Sequence, residues 1–361
     1  MVSEPVVAPD LEEQEHPLVK KFEEILDGAK AKLPPTAGKE VSRLFDQIKK
    51  KAAALGNPKR LTGIDWTDAT WNPLQGCTWK SPACDNCYAA KLVATRLAHV
   101  YPGLAKEVMK DGKKTYKFTG KILLIPTALA IPLSDKTPRR YFVNSMSDLF
   151  HKNVPDEFID AVFAIMEKAT WHEFQITTKR PDRMAKFTAR YYKDRTPPTN
   201  IWLGTSVEDQ DALDERLPEL LKVKAAVRWL SVEPLLGPIE FESLDGLHWI
   251  VVGGESGSTR KMDAEWATSI RDACAEAGVP FFFKQWGEYG EDGEKFKKKP
   301  KKDGLTPPAL DGVIHNAYPA AQEEIKEAAV AAKETKPTEA KPAKPTEEKP
   351  KKASKMANSN H

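Results

Sequence analysis

Between Thr62 and Gly287, short and nearly continuous apolar runs alternate with longer stretches of helical periodicity, and that rhythm leaves few folds open. The runs predict strands at Tyr141–Ser145, Phe174–Thr178, Ile201–Ser206, Val227–Val232, Trp249–Gly254 and Val279–Lys284. Each is apolar on both faces, as parallel strands covered by helices must be. Helices are predicted in the gaps, at Pro155–Ala169, Pro181–Tyr192, Gln210–Lys222 and Ala264–Ala277. Repeated βα units of this kind close into a full or partial TIM-like β/α barrel or open into a doubly wound sheet, so the class is α/β.

The flanks differ in kind. Residues 1–60 carry two amphipathic helical patterns, Leu18, Phe22, Ile25, Leu26 and Val41, Leu44, Phe45, Ile48, broken by Pro34 and Pro35. They read as an N-terminal helical extension of a barrel domain at 61–305. From 306 to 361 the composition turns to Lys, Ala, Pro, Glu and Thr, with too few large apolar residues to offset ordering entropy, which predicts a disordered C-terminal tail. Lys+Arg 55 against Asp+Glu 52 is nearly balanced, so net charge alone names no partner. No apolar run reaches membrane-spanning length, and the acidic start lacks the order of a secretory signal. A cytoplasmic protein with no membrane contact is expected.

Polar residues recur just past the C-terminal end of each predicted strand. They include Asn144, Ser145 and Asp148; Thr178 and Lys179; Ser206 and Glu208; Ser231 and Glu233; Gly253, Gly254 and Glu255; and Lys284. One such residue is ordinarily a helix cap or turn former. Six strands ending this way predict a shared rim, where parallel barrels build their sites.

Three of the four cysteines, Cys77, Cys84 and Cys87, stand in one loop spaced Cys-x6-Cys-x2-Cys. Clustered thiols on a Gly- and Pro-containing segment make poor core, and in a reducing compartment they are free for metal. Three thiolates can ligate a four-iron cluster and leave one iron open, or serve a zinc ion that then needs a fourth ligand. His99 and His151, the nearest histidines downstream, lie at no ligand spacing from them. Cys274, flanked by Ala273 and Ala275, reads as an apolar filler.

Further motifs accompany that loop: Gly63-Ile-Asp-Trp-Thr-Asp-Ala-Thr-Trp-Asn-Pro73, Thr178-Lys-Arg-Pro181, Trp202-Leu-Gly-Thr-Ser-Val-Glu208, Ser231-Val-Glu-Pro-Leu-Leu-Gly-Pro238, Val252-Gly-Gly-Glu-Ser-Gly257 and Phe283-Lys-Gln-Trp-Gly287. Together they resemble a phage-associated family of three-cysteine proteins, the phage Gp-type family of unknown function, over about Thr62 to Tyr289. That family in turn resembles divergent radical S-adenosylmethionine enzymes, although its cysteine spacing departs from their common Cys-x3-Cys-x2-Cys. The resemblance implies a partial β/α barrel and a 4Fe-4S cluster on Cys77, Cys84 and Cys87. It further implies S-adenosylmethionine as cosubstrate, an external electron donor, and a 5′-deoxyadenosyl radical that abstracts hydrogen from the substrate.

Within that scheme Tyr88 is a candidate to pack on adenine. Asn144, Ser145 and Asp148 are placed to meet the methionyl amine, and Ser206 and Glu208 the ribose. Gly253 and Gly254 would allow close backbone approach to the ligand, with Glu255 and Glu233 as acceptors. Lys284, like Lys179 and Arg180, would meet the methionyl carboxylate, a substrate phosphate, or a neighbouring glutamate. Trp66, Trp71, Trp79 and Trp286 serve either as stacking surfaces or as core. A nucleic acid or nucleotide is the favoured substrate class. A cluster protein of pure redox function and a zinc-stabilised nucleic-acid-binding module are the alternatives.

Overall fold

The computed structural model describes residues 62–110, 112–257, 260–296 and 308–319. The helices expected before residue 61 and the tail beyond 319 lie outside the described residues. Seven strands form one sheet in sequential order: β1 Ala69–Trp71, β2 Arg140–Val143, β3 Glu173–Thr178, β4 Ile201–Ser206, β5 Val227–Val232, β6 Trp249–Gly253 and β7 Phe281–Gln285. All neighbours pair in parallel, and the sheet curls into a half-barrel whose first and last strands stay apart. Sequential order excludes the doubly wound alternative, because right-handed crossovers then put every helix on one face.

The helices that follow strands are α1 Tyr88–Ala94, α2 Asp156–Lys168, α3 Pro181–Tyr191, α4 Gln210–Leu221 and α5 Ala264–Ala277. Their ends follow local chemistry. Asp209 caps α4 by accepting from the Ala212 amide at 2.9 Å, and α5 stops at Gly278, which takes the left-handed φ of 67° that glycine adopts without strain. All six predicted strands form, each within two residues of its expected ends. The seventh, β1, escapes the periodicity because it is three residues long and exposes its central Thr70.

Alternate residues of each strand face opposite sides, which divides the core in two. Outward-facing Tyr141, Val143, Phe174, Ile176, Leu203, Leu230, Val232, Ile250 and Val252 pack under the helices. Inward-facing Phe142, Trp202, Trp229, Trp249, Val251 and Phe282 close the floor of the half-barrel, together with Trp66 from the preceding loop. The indoles meet tilted or edge-on, with centroids 5.4 Å apart for Trp66 and Trp229, 5.0 Å for Trp229 and Trp249, and 5.6 Å for Trp202 and Trp249. Such geometry suits the ring quadrupoles.

Residues 308–319, assigned by composition to the tail, pack on the sheet. Phe283 donates to the His315 carbonyl at 2.8 Å and Ala317 to the Phe281 carbonyl at 3.2 Å, covering the β7 edge. Tyr318 stacks on Trp249 with centroids 5.4 Å apart. Three aromatic and aliphatic side chains, Leu310, Ile314 and Tyr318, give this short stretch an apolar content that a composition average over 306–361 conceals.

Gly204 is the close approach on which the floor depends: a Cβ there would lie 2.7 Å from the Trp229 indole nitrogen and 2.6 Å from the Trp229 carbonyl oxygen. Gly204→Ala should therefore cost about 2 kcal/mol of stability through overpacking, read as a lower urea midpoint at unchanged slope. A midpoint equal to the parent would mean that Trp229 can move aside freely.

Candidate active site at the mouth of the half-barrel

On four inner strand faces the side chains change from aromatic to polar towards the C-terminal end. Trp202 gives way to Gly204 and Ser206, Trp229 to Ser231 and Glu233, Phe282 to Lys284, and Phe142 to Asn144. The change opens a cavity of about 390 Å³ above the tryptophan floor, within the range of small-ligand sites. Cys77, Cys84, Cys87, Tyr88, Asn144, Ser145, Asp148, Ser206, Glu233, Gly254, Glu255 and Lys284 all line it. Of the residues singled out in the sequence, Glu208 and Gly253 stand behind this lining.

The cysteine loop follows β1. Gly76 turns the chain with a φ of 97° and lies so close to Lys121 that a Cβ would sit 2.1 Å from its carbonyl oxygen. The Cys77 carbonyl then accepts from Gly120 at 3.1 Å. Pro82–Cys84 makes a single 3-10 turn, and Cys87 occupies the N-cap of α1. Burial pushes the Cys77 thiol up to about 12; Asp148, Cys84 and Cys87 add to the rise and Arg180 opposes it. Burial also raises Cys87, against the backbone amides of Ala90 and Ala89 at the helix start. All three thiols line the one cavity. Among the described residues no group of three or more His, Cys, Asp or Glu side chains is drawn together tightly enough for a single metal ion. A cluster needs no such convergence, since each thiolate takes a different iron.

Asp148, expected to face a ligand, is occupied by the protein. Its carboxylate accepts from the Thr178 hydroxyl at 2.7 Å, the Phe150 amide at 2.9 Å and the Arg180 guanidinium at 2.5 Å. Arg180 reaches on to the Thr78 hydroxyl at 2.9 Å, beside Cys77. That hydroxyl also meets His151 Nε2 at 2.9 Å. Because His151 Nδ1 accepts from the Asn153 amide at 3.2 Å, the neutral ring carries its proton on Nε2 and donates to Thr78. Burial lowers this imidazole to about 4, with Arg180 the next contribution. The sequence marked Asp148 and Arg180 but passed over Thr78, whose place next to the first cysteine was the available signal.

The other rim carboxylates are also paired. Glu208 is fully buried and takes Arg216 at 2.9 Å and Lys179 at 3.0 Å. Burial alone would raise its carboxyl, yet the two cations hold it below the usual carboxylate range. Lys284 lies 2.7 Å from Glu233. Glu255 accepts from Arg260 at 2.8 Å and from Asn86, between the second and third cysteines, at 3.1 Å. Arg260 in turn donates to the Pro82 carbonyl at 3.1 Å, tying the loop after β6 to the cysteine loop. Neither Arg260 nor Asn86 stood out in the sequence, although each lies inside a motif noted there or just after it.

The remaining positions divide by availability. Asn144 sits at φ 64°, a conformation that asparagine tolerates, and donates to the Ser147 hydroxyl at 2.6 Å. Its buried Oδ1 has no hydrogen-bond partner among the described residues. Ser206 is joined only loosely to Thr177, at 3.3 Å, while Ser145 bonds Asn72. Tyr88 is half exposed and donates to the Ser145 carbonyl at 2.7 Å. The two glycines serve the protein itself: a Cβ on Gly253 would lie 2.7 Å from Glu233 Oε1, and one on Gly254 would lie 2.1 Å from the Trp286 carbonyl oxygen. Trp66, Trp71 and Trp286 are core; Trp79 alone of the four candidate indoles is exposed.

Fold and cavity together define an α/β half-barrel protein with a three-cysteine site at the C-terminal ends of its strands. The chain belongs to the family described as protein of unknown function (DUF5131), whose profile matches residues 61–319. No curated protein matches it. Among solved structures, spore photoproduct lyase complexed with dinucleoside spore photoproduct is similar at 12% identity and a TM-score of 0.30, over 62% of this chain and 66% of that one, just under two thirds of its length. Among the described residues no helix is long and apolar enough to cross a membrane.

Two outcomes follow from the network behind Cys77. Asp148→Asn leaves Arg180 unpaired in a half-buried setting and should cost about 3 kcal/mol by urea denaturation. His151 binds protons more readily unfolded than folded, so it contributes stability that is complete above pH 6.5 and is lost as pH falls towards about 4. The stability of His151→Gln should vary less with pH than the parent's across that window; parallel curves for the two proteins would remove His151 from the account.

Proposed function

We propose that the chain is a radical S-adenosylmethionine enzyme carrying a 4Fe-4S cluster on Cys77, Cys84 and Cys87. The observation that carries this reading is that three thiols and the polar ends of the half-barrel strands line one cavity. Three cysteines without a fourth protein ligand suit a cluster with one open iron better than a closed zinc tetrahedron. His151, the nearest imidazole to Cys77 in the hydrogen-bond network, is engaged by Thr78 and Asn153. A purely redox protein would have no use for a cavity of this size ringed by polar strand ends.

Cys77, Cys84 and Cys87 would hold the cluster, which, reduced by an external donor, would supply the electron that splits S-adenosylmethionine into methionine and a 5′-deoxyadenosyl radical able to take hydrogen from the substrate. The chain's own residues bind, orient and exclude water. Asn144 offers a buried, unpartnered Oδ1 to the methionyl amine. Lys284 and Glu233 form a pair that opens to receive the methionyl carboxylate and a donor such as the ribose hydroxyl. Ser206, held only by its long contact to Thr177, is available to bond the ribose. Asp148, Glu208 and Glu255 act through Arg180, Lys179 and Arg260, holding the wall in place. The tryptophan floor keeps water from reaching the cavity through the barrel.

Anaerobic reconstitution should give a brown protein with about four irons per chain, and Ala at Cys77, Cys84 or Cys87 should bleach it. With dithionite, the reconstituted protein should release 5′-deoxyadenosine from S-adenosylmethionine. Asn144→Leu should retain iron while raising the S-adenosylmethionine concentration needed for half-maximal cleavage by about ten-fold. Stoichiometric zinc without iron, or iron without any cleavage, would overturn the reading.

A further inference from the structure

A two-stranded hairpin, Ala105–Lys110 paired with Lys113–Phe118, stands beside the cysteine loop and outside the half-barrel sheet. Its register sets Lys106 directly opposite Lys117 and Lys110 directly opposite Lys113. All four lysines share one face, since residues 106 and 110 have the same parity. Like charges placed directly across a ladder destabilise it, and Asp85 offsets only one lysine of each pair. The segment 105–121 holds six lysines against Glu107 and Asp111. Glu107 takes Lys114, and Asp85, in the cysteine loop, takes Lys110 at 2.7 Å and Lys117 at 3.8 Å. Lys106, Lys113 and Lys121 are exposed and have no ion pair among the described residues.

The lysine face leads to the cavity, whose lining includes Lys117 and Trp79. The Trp79 indole is 50% exposed, and its Nε1 donates to Asp85 at 2.9 Å, so the ring is held in one orientation with apolar surface in solvent. The Lys117 ammonium lies 6.0 Å from its centroid. A row of cations beside a fixed, exposed aromatic is the arrangement that grips a phosphate backbone while stacking an unpaired base. The two lysine pairs are separated by about 13 Å along the strands, enough to meet more than one phosphate.

We propose that this hairpin and Trp79 bind single-stranded nucleic acid and deliver one unpaired nucleotide to the cavity. The inference rests on reading the cavity as a reaction chamber, and it names the substrate class. A single strand is favoured over a duplex because Trp79, at the cavity mouth, offers a face to a base that has left its own stack. An acidic protein would use the lysines but not the exposed indole.

The test is fluorescence anisotropy of a labelled 12-base single strand against the full-length chain over a salt series. It is run in both the parent and Cys77→Ala, so that binding is scored whether or not a cluster is held. Lys106→Gln combined with Lys113→Gln should reduce the magnitude of the slope of log affinity against log salt by about 1.4, at about 0.7 per lost phosphate contact. Trp79→Ala should weaken binding about ten-fold, and Trp79→Phe should restore most of the loss. These substitutions are on exposed side chains, and unchanged urea midpoints would confirm that the fold is intact. Equal affinity for duplex, displacement by polyglutamate as effective as by unlabelled strand, or indifference to Trp79 would each overturn the proposal. Absence of 5′-deoxyadenosine production with binding as described would instead sink the radical reading alone.

Discussion

The close packing of Trp66, Trp202, Trp229 and Trp249 governs what the rest of the half-barrel can be. A curled parallel sheet has an inner face that helices cannot cover, and here indoles fill it at one end. Filling that end confines the open space to the other, where the strand termini carry Asn144, Ser206, Ser231, Glu233 and Lys284. Gly204 is part of the same solution, because its missing side chain makes room for the Trp229 ring against β4. The floor extends outward to Tyr318, whose stacking on Trp249 draws the chain beyond the last strand across the exposed edge.

The wall above the floor is built from charges that neutralise one another. Arg180 with Asp148, Lys179 with Glu208, Lys284 with Glu233 and Arg260 with Glu255 make four pairs around one cavity. Three of them also fix the loop or the strand ends: Arg180 through Thr78, Arg260 through Pro82, and Glu208 through Arg216. Removing one partner from such a pair leaves a charge in poor solvent, which is why the wall holds its shape. The loop that carries three thiols is thus anchored from both sides.

Much of this was legible in the chain. Six apolar strand runs and four helical patterns were long enough to read, and polar residues at successive strand ends foretold that Asn144, Ser206, Glu233 and Glu255 would meet the cysteines. What periodicity missed has local reasons. Strand β1 is too short to show a pattern, and the hairpin at 105–118 holds no continuous apolar run that would mark a strand. Roles were harder than places. Asp148, Glu208 and Gly254 sit in motifs at strand ends, but only the fold reveals that their neighbours are Arg180, Arg216 and the Trp286 backbone. A sequence orders charges along a line and leaves open which cation will find which carboxylate.

The balance of charge inside the cavity and its imbalance outside point to different ligands. A zwitterion can exchange partners with an ion pair such as Lys284 and Glu233 without leaving any buried charge unmatched, whereas a lone anion would strand Glu233. In the proposed reading, S-adenosylmethionine would bring a carboxylate for Lys284 and a sulfonium whose positive charge offsets Glu233. A polyanion does not meet that condition, and in the proposed binding mode its phosphates would meet the exposed Lys106 and Lys113, where water still screens them. The same division explains why the exposed indole is Trp79, at the mouth between the two regions, while the buried ones face no solvent.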